Sequence, residues 1–515
     1  MTTTCNSRIA IGSRGQLSFG EEVCYGVPKP PTKRIDFTSE SIANTIGSLV
    51  SAALNPSRAI TNIVRGTSDV AGDVNYEQNS TGFGVFYKHA LGDVITLLAT
   101  DGGVRGQLAA DATATLTTTM TLRANNVNPN IPTAGFGTVV SRTSAGQLVA
   151  DVFEWTGKTD GTALTGVTGL GIDAIEGDRV FLTDSTNYTG VYTHYFECGR
   201  SLPTGLTIEV GRDVAFFTYT GMKVNQLTET FNATELLTGT VSFIGRAEAA
   251  GALTNEATVA GDTTVILKVG SYILQDGTTI AGFRQLTSGG TPLGSLTYYL
   301  QLEGENDITY TGYTINANGS AVIFGIPSSG AGSITASHPV NVPIVPQSTA
   351  AESLLLPTTT DPLTSFQAGM YVDNLFQEVL NATYTVNNNL FTDKFQLGDK
   401  FRAQLPEQRR EVTGSITVEF DDMVLYRKFT DSTVVELEIR IVDDGANGQI
   451  GSTGVYRQKH HIFPKIKFSG TTPQIGGPDV ITMDMPFQAF YDIDDDEPEM
   501  ILIVVNSVER DPHGV

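Results

Sequence analysis

The sequence predicts a mainly β protein of antiparallel strands, and three observations carry that prediction. Its 515 residues include 54 Gly and 21 Pro among abundant Thr and Ser, a stock that forms helices poorly. Apolar and polar residues also alternate with period two. Leu206, Ile208 and Val210 alternate with Thr207 and Glu209, and Val241 and Phe243 with Thr240 and Ser242. The longest run interleaves Val435, Leu437, Ile439 and Ile441 with Glu436, Glu438 and Arg440, and later Ile466 and Phe468 flank Lys467. Period two puts one face in a core and the other in water, whereas strands of a parallel sheet read as continuous apolar runs. Finally, the length allows roughly two to four bodies of about 100–200 residues, enough for a substantial core.

Taken in order, residues 1–35 carry Pro28, Pro30 and Pro31, which lack the donors of a central strand, and read as an irregular N-terminal arm. Over 39–65, Ile42, Ile46, Leu49, Val50, Ala53 and Leu54 recur at helical spacing until Pro56, which predicts a helix. Over 72–92, Val74 and Tyr76 alternate ahead of a turn and the aromatics Phe83, Phe86 and Tyr87, the pattern of a hairpin. Residues 36–110 form a first core segment. Residues 111–189 are a Gly-rich, low-charge β elaboration, and the alternation resumes over 190–251. Residues 252–350, rich in Gly, Thr and Ser and leaving through Pro339, Pro343 and Pro346, have the length of a small β domain inserted into an enlarged loop, which closure entropy tolerates. Residues 351–515 complete the core.

A weak internal repeat is visible. Gly72-Asp73-Val74-Asn75-Tyr76 precedes Gly84-Val85-Phe86-Tyr87-Lys88, and Gly414-Ser415-Ile416-Thr417-Val418-Glu419-Phe420 precedes Val424-Leu425-Tyr426-Arg427-Lys428-Phe429. Gly239-Thr240-Val241-Ser242-Phe243 repeats the strand opening. The modest reading is that these are equivalent sheet positions.

The formal charge of -23 opposes adhesion to a nucleic-acid backbone, which is driven by counterions released around Lys and Arg. It suits a wall that lets DNA pass. Cys5, Cys24 and Cys198 fit neither a disulfide framework nor a four-ligand zinc site and read as free thiols. The first residues lack a signal-like apolar stretch, and the apolar run 501–505 spans five residues where a membrane helix needs about 20. A soluble protein made in cytoplasm, without membrane insertion, is the expectation.

Chemistry-bearing patterns are sparse. No phosphate-binding Gly-Lys-Ser/Thr loop and no His-Glu-x-x-His pair occurs, so no enzyme and no cofactor is expected. His460 and His461 would point to opposite faces of a strand, which argues against a shared metal and for a solvated strand end. The acidic run Asp492, Asp494, Asp495, Asp496, Glu497 lacks the spacing of a calcium loop. It reads as a solvated loop or as an acidic wall or docking patch. Glu407, Arg409, Arg410 and Glu411 read as a wet connection or an intersubunit ion-pair patch.

The segment Phe217-Thr218-Tyr219-Thr220-Gly221-Met222-Lys223-Val224-Asn225-Gln226-Leu227-Thr228, followed by Leu237-Thr238-Gly239-Thr240-Val241-Ser242-Phe243-Ile244-Gly245, resembles tail tube proteins of long-tailed bacteriophages. The early Phe19-Gly20-Glu21-Glu22, Tyr25-Gly26 and Phe37-Thr38-Ser39-Glu40-Ser41 agree, as does the late Leu390-Phe391-Thr392-Asp393-Lys394-Phe395-Gln396-Leu397-Gly398. Coverage runs over about 15–110, 190–250 and 355–510 and fails over about 111–189 and 252–350.

The resemblance implies an antiparallel β-sandwich or partly closed barrel with a flanking helix, here with an inserted small β domain. It also implies six copies in a ring whose inner strands join into one barrel, and rings stacked into a tube that conducts the genome. A tape measure protein inside the tube, with tail terminator and distal tail proteins at its ends, would be its partners. The virion tail would be its location after synthesis in the host cytoplasm. On this reading the segments 72–92 and 412–429 supply luminal and ring-forming strands, with Gly72, Val74, Tyr76, Phe86, Tyr87, Gly414, Ile416, Val418, Phe420 and Tyr426 as their residues. Ring-to-ring contacts would come from Cys24, Tyr25, Pro28 and Pro31 and from Leu54, Arg58 and Arg65. The alternatives are another virion or tail structural protein, or a secreted carbohydrate-binding sandwich, which the lone Trp155 weakens.

Overall fold

The structure is a computed structural model. It describes residues 12–508 except 30, 32, 54–58, 61, 99–103, 117, 124–130, 144–145, 160–161, 184–189, 213–215, 251, 268–297, 303–304, 317–319, 341–342, 348–360, 421–422, 446, 471, 474–479 and 494–495. The alternating segments become antiparallel strands. One continuous layer runs through Ala43–Val50, Ile63–Glu77, Thr238–Gly245, Phe216–Asn232, Val379–Asn387, Glu411–Glu419 and Thr482–Ala489, each paired to the next. At Phe468 and Phe487 this layer meets the strand Gln458–Phe468. A second layer follows from there through Ile501–Asn506, Tyr192–Cys198 and Gly92–Leu98 on one edge, and Val435–Val442 and Ala368–Val372 on the other.

Between the layers lies one hydrophobic core containing Val74, Leu227, Phe243, Tyr384 and Ile416 from the first, and Phe196, Phe463 and Leu502 from the second. The fold is therefore an antiparallel sandwich. The pairings form an open branched ladder and do not close a barrel among the described residues. Helix α1 (Gly84–Leu91) is enclosed by both layers, with Val85, Phe86, Tyr87, Ala90 and Leu91 buried. It ends at Gly92, whose φ is 114° and where a side chain would meet the Ser201 carbonyl oxygen at 2.6 Å.

Strands Gly135–Arg142, Leu148–Trp155, Arg179–Thr183 and Val104–Gln107 form a separate four-stranded sheet with its own core around Trp155. A further cluster carries Phe181 onto Tyr195, Ile462 and Ile503 of the second layer. Two small sheets between Ala252 and Gln347 enclose a third core around Leu300, Ile308 and Ile323.

Several expectations are corrected. The helix expected over 39–65 is a two-stranded ribbon, Ala43–Val50 against 63–71 with a register shift between Ile46 and Ser48, because Ile46, Leu49 and Val50 are solvent-facing and answer to no helical core stripe. Each expected hairpin is a strand followed by a helix, Ile63–Glu77 then α1, and Glu411–Glu419 then α2 (Val424–Thr430). In α1 the aromatics Phe86 and Tyr87 are buried by winding rather than by pairing, whereas Tyr426 and Phe429 of α2 pack half-buried against the core. Gly15–Glu21 is no irregular arm but a buried strand against Leu206–Arg212. Thr207 and Glu209 are buried too, so that strand has no wet face. His460 and His461 do face opposite ways, yet both are buried within a strand rather than solvated at its end.

Candidate assembly surface

A sheet edge exposes backbone donors and acceptors that pair somewhere or attract another chain. The first layer has two such margins. At one, the segment 39–50 pairs only with Ile63–Glu77 among the described strands. At the other, Thr482–Ala489 pairs along its whole length with Glu411–Glu419 but meets Gln458–Phe468 only at 487–489, leaving 482–485 without a strand on that side among the described residues.

The outward face of this layer has its own chemistry. The residues alternating with the buried ones are mostly Thr, Asn, Ser and Gln, with Ala71, Ile244 and Pro486 among them, joined by cross-strand bonds such as Thr228 Oγ1 to Thr385 Oγ1 at 2.9 Å and Thr240 Oγ1 donating to Asn75 Oδ1 at 2.6 Å. Asp73, Glu77, Glu411, Glu419 and Asp484 stand exposed on it. No Lys or Arg occurs in the strand segments 70–77, 226–232, 238–245, 381–387, 411–419 and 482–489. A hydroxyl-lined, anionic face repels a phosphate backbone and offers it no counterion exchange.

The residues singled out in the sequence are placed as follows. Val74, Tyr76, Phe86, Tyr87, Ile416 and Val418 are buried in the core, and Phe420 and Tyr426 pack half-buried against it. The outward neighbours on the same strands, not these side chains, are what a solvent-filled space would meet. Gly72 and Gly414 sit where strands crowd: a Cβ would lie 2.4 Å from Ile42 Cα at the first and 2.4 Å from the Phe487 ring at the second.

Among the expected axial contacts, Cys24 and Arg65 are exposed, Tyr25 is half-buried, Pro28 and Pro31 are buried, and Leu54 and Arg58 lie outside the described residues. The loop at Tyr25 is held down by Glu22, whose carboxylate accepts from the amides of Gly26 at 2.7 Å and Gly221 at 2.8 Å and from the Thr207 hydroxyl at 2.9 Å. The ribbon beyond it was missed as a ribbon. Leu49 and Val64 are register partners and are 64% and 54% exposed, and Ile46, Val50 and Ile63 add to an apolar surface left uncovered among the described residues.

The acidic run is partly spent inside the chain. Glu497 is buried, pairs with Arg179 at 3.2 Å and accepts from Gln107; Asp492 pairs with Lys465 and Asp496 accepts from the Tyr491 hydroxyl. Asp494 and Asp495 lie outside the described residues. Arg410 pairs with Glu499 at 2.9 Å and Glu407 with Lys223 at 3.1 Å, so these charges are intramolecular. Trp155 is buried and offers no binding platform.

Sequence reasoning also missed a buried polar network. Glu229 shares the inward face with Leu227 and Phe231, a carboxylate in an apolar alternation that was legible but went unremarked. Its Oε1 accepts from the hydroxyls of Tyr87 at 2.7 Å and Tyr76 at 3.2 Å, and its Oε2 accepts from Tyr384 at 2.6 Å. His461 Nδ1 lies 3.0 Å from the Tyr384 hydroxyl, and Lys459 Nζ donates to the Tyr87 hydroxyl at 3.0 Å. Burial pushes His461 down to about 4 and Lys459 down to about 8, while burial beside Glu229 raises all three tyrosines. The network ties both layers and α1 to one carboxylate, which fixes their relative register.

Among the described residues, no group of three or more His, Cys, Asp or Glu side chains could hold a metal ion, and no helix is long and apolar enough to cross a membrane. A family model described as phage tail tube protein matches residues 12–290 and 300–489. No curated protein matches the chain.

Proposed function

The chain belongs to the phage tail tube protein family, and from that premise we propose that it is a structural, non-catalytic subunit that closes into rings of sixfold order by edge-to-edge strand pairing. The rings stack into a hollow tube whose acidic lumen conducts DNA during ejection. The family implies a virion tail location and assembly with other tail proteins. In this reading those are a tape measure protein inside the tube and terminator and distal tail proteins at its ends, assembled in the host cytoplasm.

The observation that carries the lumen is the outward face of the first layer, with exposed Asp73, Glu77, Glu411, Glu419 and Asp484 and no Lys or Arg in the segments 70–77, 226–232, 238–245, 381–387, 411–419 and 482–489. A protein that adheres to DNA needs the opposite sign. The apolar ribbon around Leu49 and Val64 serves axial stacking, because a patch of that kind on a soluble subunit marks an interaction site. Electron microscopy of the purified chain tests the reading: hollow filaments with a DNA-wide channel are expected. A folded chain that stays monomeric under every assembly condition would overturn it.

A further inference from the structure

The two strand-then-helix units are the same structure twice, down to the residue pairing. In the first, Glu40 faces Val74 and Ala43 faces Ala71; in the second, Ala382 faces Ile416 and Thr385 faces Thr413. The third strand repeats the match, with Val241 on Val74 and Phe243 on Gly72 in one unit, and Met485 on Ile416 and Phe487 on Gly414 in the other. The fourth strand does so again, with Val224 on Phe243 and Phe468 on Phe487. A one-residue slip would invert every side chain, so agreement at four strands is not a product of alternation alone. α1 and α2 follow the second strand of each unit.

The units are already joined. The last strand of the first unit pairs antiparallel with the first strand of the second, Gln226 on Asn387 through Asn232 on Asn381. Within the chain, the counterparts of the two sides of that junction are the margin at 39–45 and Ser469, which follows Gln458–Phe468. Thr45 occupies in the first unit the place of Asn387 in the second. Ser469, whose amide donates to the Pro486 carbonyl at 2.7 Å, takes the place of Gln226, which is opposite Ser242.

We infer that the chain is a covalent pair of tube units, and that the partner fitting its free margins is a second copy of itself, docked by a repeat of the internal junction, with 39–45 of one copy beside Ser469 of the next. Such a contact is head-to-tail and closes into a ring. Every ring then holds half as many chains as tube units. Resting on the sixfold reading proposed above, three chains fill a ring in place of the six expected from the sequence. The inserted domain and the sheet around Trp155 recur three times per ring rather than six.

Cryo-electron microscopy of tubes formed by the full chain, reconstructed without imposed symmetry, tests the count directly. Three chains per ring, with six similar units around the channel, are expected. Six chains per ring would overturn the inference while leaving the tube reading intact, whereas a folded chain that forms no tube would overturn both. A chemical test uses Thr45→Cys with Ser469→Cys in a Cys5→Ser, Cys24→Ser background, oxidised in assembled rings. Covalent species ending at three chains are expected, and Ser469→Cys alone should give none. A ladder running past three, or intact rings that do not cross-link, would overturn the proposed contact.

Discussion

Phe487 lies opposite Gly414 so closely that a Cβ at 414 would sit 2.4 Å from the ring's Cζ and 2.5 Å from the Thr383 carbonyl oxygen. The ring is thereby pressed onto the sheet and reaches Phe463 of the second layer at 5.4 Å between centroids. Phe243 faces Gly72 in the matching place and reaches Phe86 of α1 at 5.6 Å. At Gly414 the missing side chain makes room for the aromatic ring, whereas at Gly72 it makes room for the backbone of Ser41 and Ile42.

Gly414→Ala is expected to destabilise the fold by about 1–3 kcal/mol, because the new methyl meets a rigid ring on one side and backbone on the other and neither can withdraw freely. Urea unfolding measures it. A midpoint equal to wild type would show that the close approach is not maintained in solution.

Ile416→Lys or Val418→Lys should prevent folding or ring formation, since both side chains are buried in the core and an ammonium there has no partner. Thr417→Lys, on the opposite face, should leave the fold intact. Circular dichroism and particle imaging compare the three. Soluble polymerising Ile416→Lys subunits would mean that the buried face is misassigned.

Half-wet strands were legible because burial of one face imposes a period that composition reveals: Thr238–Gly245 and Thr482–Ala489 both alternate exposed or half-exposed with buried along their length. The ribbon Ala43–Val50 was misread because neither face is covered, so no burial constraint wrote a period of two, and the apolar spacing resembled a helix by chance. Phe86 and Tyr87 were read as a strand from their β propensity, which tertiary burial overrode. Glu229, His461 and Lys459 come from two sheet layers, and no local pattern records that the two meet.

Within that network, His461 should make stability depend on acidity. Its folded value is about 4 against an ordinary 6.5. As pH falls below 6.5 the unfolded chain takes up a proton that the folded one refuses until about 4. Stability is thus full above 6.5 and is lost toward 4, by roughly 3 kcal/mol. Asp178, raised to about 6, acts in the opposite sense over part of that window, so the comparison is with His461→Gln. The variant should show a flatter acid limb in unfolding measured across pH; parallel curves would remove His461 from the account.

Leu49→Asp with Val64→Asp places two carboxylates on the ribbon, where the parent side chains are 64% and 54% exposed. Exposed positions change stability little, roughly within 0.5 kcal/mol, so the fold should survive. Stacking should not, because the apolar area available to the next ring is lost and like charges are brought together. Sedimentation and imaging should find short species in place of long tubes. Full-length tubes would assign axial contact elsewhere.

Removing 252–350 tests whether the inserted body is an appendage. Its core, from Val265 to Ile344, is a cluster of its own. The strand entering it, Ala247–Ala250, is anchored to Phe216–Asn232, and beyond it Leu363 returns to bond with the Leu237 amide at 2.9 Å. Both ends are therefore held by the main sheet without help from the insertion, and closing a shorter loop costs little entropy. Neither sheet margin used for docking lies within the deleted span. The truncated chain should fold and polymerise into tubes of unchanged axial repeat and smaller outer radius. A folded truncated chain that cannot assemble would show that the insertion contributes to the contact between copies.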